Sequence, residues 1–343
     1  MKNYKVAVAG ATGAVGREMM KMLEALNFPI SELRLLASSR SSGKKLLFKG
    51  KEITIEELSP EWIARNNVDM VIMSAGGSVS EKYSPMFRDK KIYVIDNSSA
   101  WRMDKNVPLI VPEINPETLS KDKYIIANPN CSTIQMVHAL APLHRAVPIK
   151  RIIAVTFQAV SGGGQKAILE LEKESRKIVD GNFAEKKLSG SDFSPFPHQI
   201  AFNCIPQIDV FMENGFTKEE MKMVNETKKI LDPRIAVSVT CVRVPIFRGH
   251  SEAVNVELSD NLSVGEVRRL LENEPGIKVI DDTASLKYPM AIDSDGKLET
   301  CVGRIRKDES RPNSLWMWIV SDNLLKGAAL NAVQIAQKLI EII

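Results

Sequence analysis

Cys131 sits in Ile125-Ile126-Ala127-Asn128-Pro129-Asn130-Cys131-Ser132-Thr133, where a β-rich run gives way to helical spacing from about residue 134. A cysteine so placed lies at the carboxyl edge of a parallel sheet, where open α/β folds bind ligands. It also lies at a helix N-terminus, whose partial positive charge favours the thiolate. A thiolate can attack a carbonyl, and the resulting thiohemiacetal carbon can give up a hydride. The other cysteines, Cys204, Cys241 and Cys301, read as small apolar residues of a reducing compartment. Asn130, Ser132 and Thr133 make the surroundings of Cys131 polar, which argues against that reading for it.

Such a nucleophile needs a proton-handling partner, and the chain has four histidines. His138 is seven residues along the same helix, ~10 Å up the axis and out of hydrogen-bond reach. His144 is farther. His198 follows Pro195-Phe196-Pro197 in an irregular stretch, and His250 lies in a strand-end turn, Phe247-Arg248-Gly249-His250-Ser251. The residues alone leave His198 and His250 open. No two cysteines are spaced as a CxxC pair, so no metal site is expected.

Gly10-Ala11-Thr12-Gly13-Ala14-Val15-Gly16 follows one strand and opens one helix. Glycines there allow a tight turn and close approach to a pyrophosphate seated on the helix N-terminus. The spacing GxxGxxG departs from the plain GxGxxG fingerprint, but strand, loop and helix fall in the required order. At the end of the second strand, an NAD site usually places an acid for the ribose 2′-hydroxyl. Here the chain reads Ser38-Ser39-Arg40-Ser41-Ser42-Gly43-Lys44-Lys45, with no carboxylate. A guanidinium fork and hydroxyls suit a 2′-phosphate, so NADP is the expected cofactor.

The elements that must position these groups fall into two textures. Near-continuous apolar strands over 4–9, 33–37, 70–74, 92–96 and 124–127 alternate with helical stretches, the pattern of a covered parallel sheet. After about residue 132, longer strands over 151–160, 236–247, 251–258, 299–305 and 315–320 partly alternate polar with apolar residues, which predicts a sheet with one open face. Helices are expected over 165–179, 218–231 and 264–272, with an irregular loop over 181–209 and a final amphipathic helix over 326–343. The expected fold is α/β: a Rossmann-type dinucleotide-binding domain, 1–132 plus 323–343, and an α+β catalytic and dimerisation domain with a mixed sheet, 133–322.

Composition fits an ordinary globular protein, with 44% apolar and 26% charged residues over 343 positions. The net charge of +4 is scattered and gives no nucleic-acid footprint. No apolar run approaches the ~20 residues of a membrane span. The first residues run straight into a strand and glycine loop without signal-peptide segments, so a cytoplasmic protein is expected.

Taken together, the glycine loop, the Ser-Arg-Ser turn, Asn-Cys-Ser and the Arg-x6-His spacing of Arg243 and His250 resemble the aspartate-β-semialdehyde dehydrogenase family over the whole chain. That resemblance implies Cys131 as acyl-thioester nucleophile, His250 as acid/base, and Gln158 as the residue orienting the intermediate. It implies Arg243 at the substrate carboxylate, Glu219 at its amino group, and Arg102 with Lys222 at the phosphate. Glu220 is adjacent to Glu219; the latter is preferred because it shares a helix face with Lys222. Thr12, Gly13, Ala14, Val15, Arg40 and Ser41 fall to the cofactor, with Ser161, Gly162 and Asn323 near the nicotinamide. The implied reaction is reductive dephosphorylation of aspartyl phosphate to aspartate semialdehyde, in lysine, diaminopimelate, threonine and methionine biosynthesis, by a homodimer. The rival enzyme reading is an N-acetyl-γ-glutamyl-phosphate reductase, and the non-enzyme reading an NADP-sensing protein.

Overall fold

A computed structural model describes residues 2–181, 183, 187–188 and 194–343, so the expected loop over 181–209 lies partly outside the described residues. The chain forms two compact units, Met1–Asn130 with Gly327–Ile343, and Cys131–Lys326.

The first unit runs β1 (Tyr4–Ala9), α1 (Ala14–Ala25), β2 (Ile30–Ala37), β3 (Lys45–Phe48), β4 (Lys51–Glu57), α2 (Pro60–Arg65), β5 (Met70–Met73), α3 (Gly77–Asp89), β6 (Tyr93–Asp96) and β7 (Ile125–Ala127). Its seven strands are ordered β3-β4-β2-β1-β5-β6-β7. All pairings are parallel except β3 with β4. Both faces of the central strands are covered, which is why Val6, Val8, Leu35, Val71 and Ile72 are all buried without alternation.

No strand is expected from the sequence between residues 37 and 70, where the structure adds the β3–β4 hairpin. Lys49 and Gly50 both take positive φ, 49° and 74°, the backbone of a two-residue hairpin turn. A Lys-Gly pair is a weak turn signal, and the alternation in Ile53-Thr54-Ile55 is short, so neither announced a hairpin.

The second unit runs α4 (Cys131–Ala146), β8 (Ile149–Gln158), α5 (Gln165–Asp180), α6 (Lys218–Ile230), β9 (Ala236–Arg243), β10 (His250–Leu258), α7 (Val264–Glu272), β11 (Ile277–Val279), α8 (Ala291–Ser294), β12 (Thr300–Lys307) and β13 (Ser314–Ser321). Its sheet is ordered β11-β12-β13-β10-β8-β9, with β8/β9 and β11/β12 parallel and the other pairs antiparallel. Met136, Leu140 and Leu143 of α4, Met223 of α6 and Val267 of α7 close one core with Ile152, Val254, Val256 and Ile319 of the sheet. Thr217 and Ser263 begin α6 and α7 with reciprocal capping boxes to Glu220 and Glu266.

The opposite sheet face keeps Phe157 and Trp318 half-buried, their rings 5.4 Å apart. β9 stops at Arg243, short of the expected 247, because Pro245 has no N–H for a ladder. The C-terminal helix is also shorter than expected. Leu325–Ala329 form a π-helical turn, and α9 (Leu330–Ile340) continues from it and packs on α1 within the first unit.

Candidate active site

In the first unit the glycine loop is built for close approach. A Cβ on Gly10, at φ 82°, would come within 2.2 Å of the Ser74 carbonyl oxygen, and one on Gly16 within 2.2 Å of the Gly10 oxygen. Gly13 precedes α1 without any side-chain cap, and no acid lies in the first turn. The first N–H groups of α1, around Ala14 and Val15, are therefore left for another acceptor, and Thr12 lies just before them. Beyond β2, Ser39–Ser41 form a single helical turn that carries Arg40 exposed, with Ser41 partly buried. These features fit a dinucleotide: a cradle that tolerates no side chain, a bare helix start, and a free guanidinium in place of an acid.

Arg102 also belongs to this unit and is buried. Its Nε donates to the Asn128 carbonyl at 2.9 Å and its Nη2 to the Asn97 carbonyl at 2.8 Å, so it braces the ends of β6 and β7.

In the second unit Cys131 is the first residue of α4 and is partly accessible. Cys241 and Cys301 are buried, and burial pushes both thiols up, away from reactivity. The sheet brings the other groups together by register. Gln158, the last residue of β8, pairs with Arg243, the last of β9, and β10 begins on β8's other side with His250. Arg243 is almost wholly buried and donates from Nη1 to the Ala159 carbonyl at 2.6 Å. Burial weakens its hold on its proton, and the charges of Glu219 and Cys131 act the other way.

His250 is completely buried. The Ala159 N–H donates to its Nδ1 at 3.0 Å, and its Nε2 has no hydrogen-bond partner among the described residues. Burial first, and then the Arg243 charge, hold its pKa well below the usual histidine range. His198, the other candidate left open by the residues, is exposed. His138 is held by Thr300 and the Pro275 carbonyl, each at 3.0 Å. A Cβ on Gly162 would lie 3.2 Å from Arg243 Nη1 and 3.4 Å from His250 Nε2, so these two polar ends face the same glycine. Asn323 accepts from the Gly249 N–H at 2.9 Å and is paired with the Ser161 hydroxyl, which ties the loop after β8 to the turn before His250.

Glu219 and Glu220 have separated duties. Both oxygens of Glu220 accept backbone N–H groups, from Thr217 at 2.6 Å and from Cys241 at 2.9 Å. Glu219 instead meets Lys222 Nζ at 3.0 Å and acts on Arg243. Lys222 also donates to Asp209 at 2.8 Å; burial works against its charge, and Glu219 and Asp209 together more than offset that.

Three neighbours escaped the sequence reading. Gln135 lies one turn behind Cys131 on α4, a spacing that does signal a shared face. It accepts from the Ser321 hydroxyl at 2.6 Å. Glu252, two residues from His250 on β10 and so on the same face, is fully buried, and among the described residues no group meets its oxygens with full hydrogen-bond geometry. Burial drives its pKa well up, with only the Gln135 amide opposing. Asp209 carries no motif that would single it out. Among the described residues no cluster of His, Cys, Asp and Glu could hold a metal, and no helix is long and apolar enough to cross a membrane.

A dinucleotide cradle in one unit, and a cysteine, histidine and arginine gathered at one edge of a mixed sheet in the other, define a two-domain nucleotide-dependent dehydrogenase. Residues 5–122 match the family model for the NAD-binding domain of semialdehyde dehydrogenases, and residues 140–326 match that for their dimerisation domain. The aspartate-semialdehyde dehydrogenases of Aquifex aeolicus and Bacillus subtilis are 52% and 50% identical to this chain, each alignment covering 98% of both proteins. The crystal structure of the Vibrio cholerae aspartate semialdehyde dehydrogenase II complexed with ASA superposes with a TM-score of 0.92 at 45% identity, covering 99% of each chain. The Candida albicans enzyme with NADP does so at 0.74 and 26%, again covering 99% of each. The chain belongs to the aspartate-semialdehyde dehydrogenase family.

Proposed function

We propose that this protein reduces L-aspartyl-β-phosphate to L-aspartate β-semialdehyde and phosphate with NADPH, and runs the reverse reaction when given NADP⁺ and phosphate. The observation that carries the reading is the meeting of Arg243 Nη1 and the unpartnered His250 Nε2 over Gly162, with the Cys131 charge acting on Arg243. Cys131 attacks the acyl carbon and holds it as a thioester. Arg243 takes the substrate α-carboxylate, Glu219 the amino group, and Gln158 orients the acyl group. Arg102 and Lys222 serve the phosphate, and Lys222 must then exchange Asp209 for it. His250 is the acid/base group and protonates the forming thiohemiacetal oxygen through Nε2.

Gly10, Thr12, Gly13, Ala14 and Val15 hold the pyrophosphate side of the cofactor, and Arg40 with Ser41 the 2′-phosphate. Ser161, Gly162 and Asn323 lie towards the nicotinamide, which supplies a hydride to the thioester carbon when bound. The lack of any acid in the Ser38–Lys45 stretch supports NADP over NAD.

The testing assay follows NADPH formation with NADP⁺, phosphate and either aspartate semialdehyde or its N-acetylglutamate counterpart. Turnover of aspartate semialdehyde alone is expected; turnover of only the acylated aldehyde overturns the reading in favour of an acylglutamyl-phosphate reductase.

The protein is further proposed to act as a homodimer through the face of the second sheet opposite α4, α6 and α7. A cavity of about 490 Å³ opens there, lined by Ala253, Trp318, Tyr288, Met290, Arg304 and Arg306. Apolar surface of this kind is what an interface covers. Light scattering should give twice the chain mass, and a monomer would remove the proposal. A nucleophile that must stay a free thiol suits the reducing cytoplasm, which cell fractionation tests.

A further inference from the structure

The Lys222 ammonium is shared by two carboxylates, donating to Asp209 at 2.8 Å and to Glu219 at 3.0 Å. Glu219 lies one turn before it on α6, but Asp209 is thirteen residues back and must be brought there. The stretch before Asp209 pairs with the end of β9, where Ile205 and Arg243 exchange both backbone N–H groups at 2.9 Å. The stretch after it folds back as a short ribbon and enters α6. In that ribbon the Lys218 N–H donates to the Val210 carbonyl and the Met212 N–H to that of Phe216, each at 2.8 Å. Asp209 is thereby pinned between the strand that carries Arg243 and the helix that carries Glu219 and Lys222.

We infer that Asp209 is a positioning residue that selects for an amine-bearing substrate: it offsets the charge of Lys222, so that Glu219 keeps its attraction for the substrate ammonium. This rests on the functional reading above. The same offset weakens the pull of Lys222 on phosphate, so the two substrates respond to Asp209 in opposite senses.

The backbone at Asp209 suits this duty. Its φ is 67°, in the left-handed region that Asp and Asn enter more readily than other residues with side chains. Its Oδ1 accepts the Val210 N–H at 2.9 Å, which leaves Oδ2 for Lys222. Burial pushes the carboxyl's pKa up, and Lys222 and the Val210 N–H more than offset that, so the group stays below the ordinary carboxylate range. It is charged at neutral pH.

The charges of the cluster do not cancel. Two carboxylates, Glu219 and Asp209, against one ammonium, Lys222, leave one net negative charge, and Glu219 and Lys222 are mostly buried. Lys218, the other cation that acts on Asp209, is exposed and screened by water. On the far side Glu219 acts on Arg243, which the substrate α-carboxylate is proposed to neutralise. One unmatched negative charge is the complement of one ammonium. Without the Asp209 charge, Lys222 alone would balance Glu219. An incoming ammonium would then meet a neutral pocket, with a like charge already seated on its acceptor.

The test follows NADPH formation with NADP⁺, phosphate and aspartate semialdehyde. Asp209→Asn keeps an acceptor for the Val210 N–H, suits the positive φ and removes only the charge. KM for aspartate semialdehyde should rise on the order of ten-fold, while KM for phosphate falls. A general loosening of the structure would not move the two in opposite directions. Adding Lys222→Gln removes the matching positive charge and returns the cluster to one net negative charge. KM for aspartate semialdehyde should then recover most of the loss, although phosphate binds more weakly. An unchanged KM for the aldehyde, a shift of both KM values in the same sense, or no recovery in the double variant overturns the inference. Should Asp209→Asn fail to fold, Asp209→Gly, which also suits a positive φ, gives the same readings. A wild-type protein that fails to turn over aspartate semialdehyde removes the functional reading and the inference with it; an active wild type with unshifted variants removes the inference alone.

Discussion

The carboxylate of Glu220 joins α6 to β9: one oxygen closes the capping box on Thr217, and the other accepts the N–H of Cys241 at 2.9 Å. Glu219, one residue earlier, has its carboxylate at Lys222. Adjacent residues of the same type thus have different partners, backbone N–H groups for Glu220 and the Lys222 ammonium for Glu219.

Replacing Glu220 by Ala leaves two buried N–H groups without an acceptor and should cost roughly 1–3 kcal/mol of stability, read as a lower urea midpoint. Glu219→Gln should leave that midpoint nearly unchanged and raise KM for aspartate semialdehyde. The reverse pattern would exchange their roles.

Cys131→Ala removes the only group proposed to bond covalently to substrate. Phosphate-dependent NADPH production should disappear, while NADPH binding, followed by fluorescence titration, stays intact. Undiminished turnover would end the thioester proposal.

Arg40 stands exposed on the turn after β2, so its substitution should perturb the cofactor alone. Arg40→Asp is expected to raise KM for NADP far more than for NAD, since an acid there repels a 2′-phosphate and suits a free 2′-hydroxyl. Equal losses for both nucleotides would show that Arg40 does not read the phosphate.

Gly162→Ala would bring a methyl group against both Arg243 Nη1 and His250 Nε2. Displacing these ends should lower kcat/KM on the order of ten- to a hundred-fold, with an unchanged melting temperature. Full activity would mean that neither group needs its observed position.

Glu252 makes stability depend on pH in a defined direction. Burial raises its folded pKa, so between about 4.3 and that raised value the folded state binds more protons than the unfolded. Its contribution is fully present below the unfolded value, falls as pH rises above it, and is lost once the folded pKa is passed. Urea midpoints between about pH 5 and pH 9 should therefore fall more steeply for the wild-type protein than for Glu252→Gln, which cannot ionise. Parallel profiles would place the Glu252 carboxyl outside this linkage.

Much of this arrangement was legible in the residues, because parts of it are local. The β1–loop–α1 unit and the helix headed by Cys131 each depend on one short stretch whose spacing carries the signal. What was hidden depends on long-range placement. His198 and His250 are equivalent until burial distinguishes them, and burial of His250 follows from β10 lying between β8 and β13. The split between Glu219 and Glu220 is decided by an N–H on β9, twenty-one residues away from Glu220. The β3–β4 hairpin turns on a Lys-Gly pair that no strong turn preference marks.

The order of the strands also bears on when the protein can first act during its own synthesis. β13, emerging after all other strands, lies beside β10 and therefore beside His250, and Asn323 follows it directly. α9 comes later still, and it is the partner of α1 in the nucleotide-binding unit. Neither unit is complete until almost the whole chain has left the ribosome. A nascent chain stalled before residue 314 would expose an unpaired β10 edge, a hazard for aggregation, and would carry Cys131 with no finished site around it.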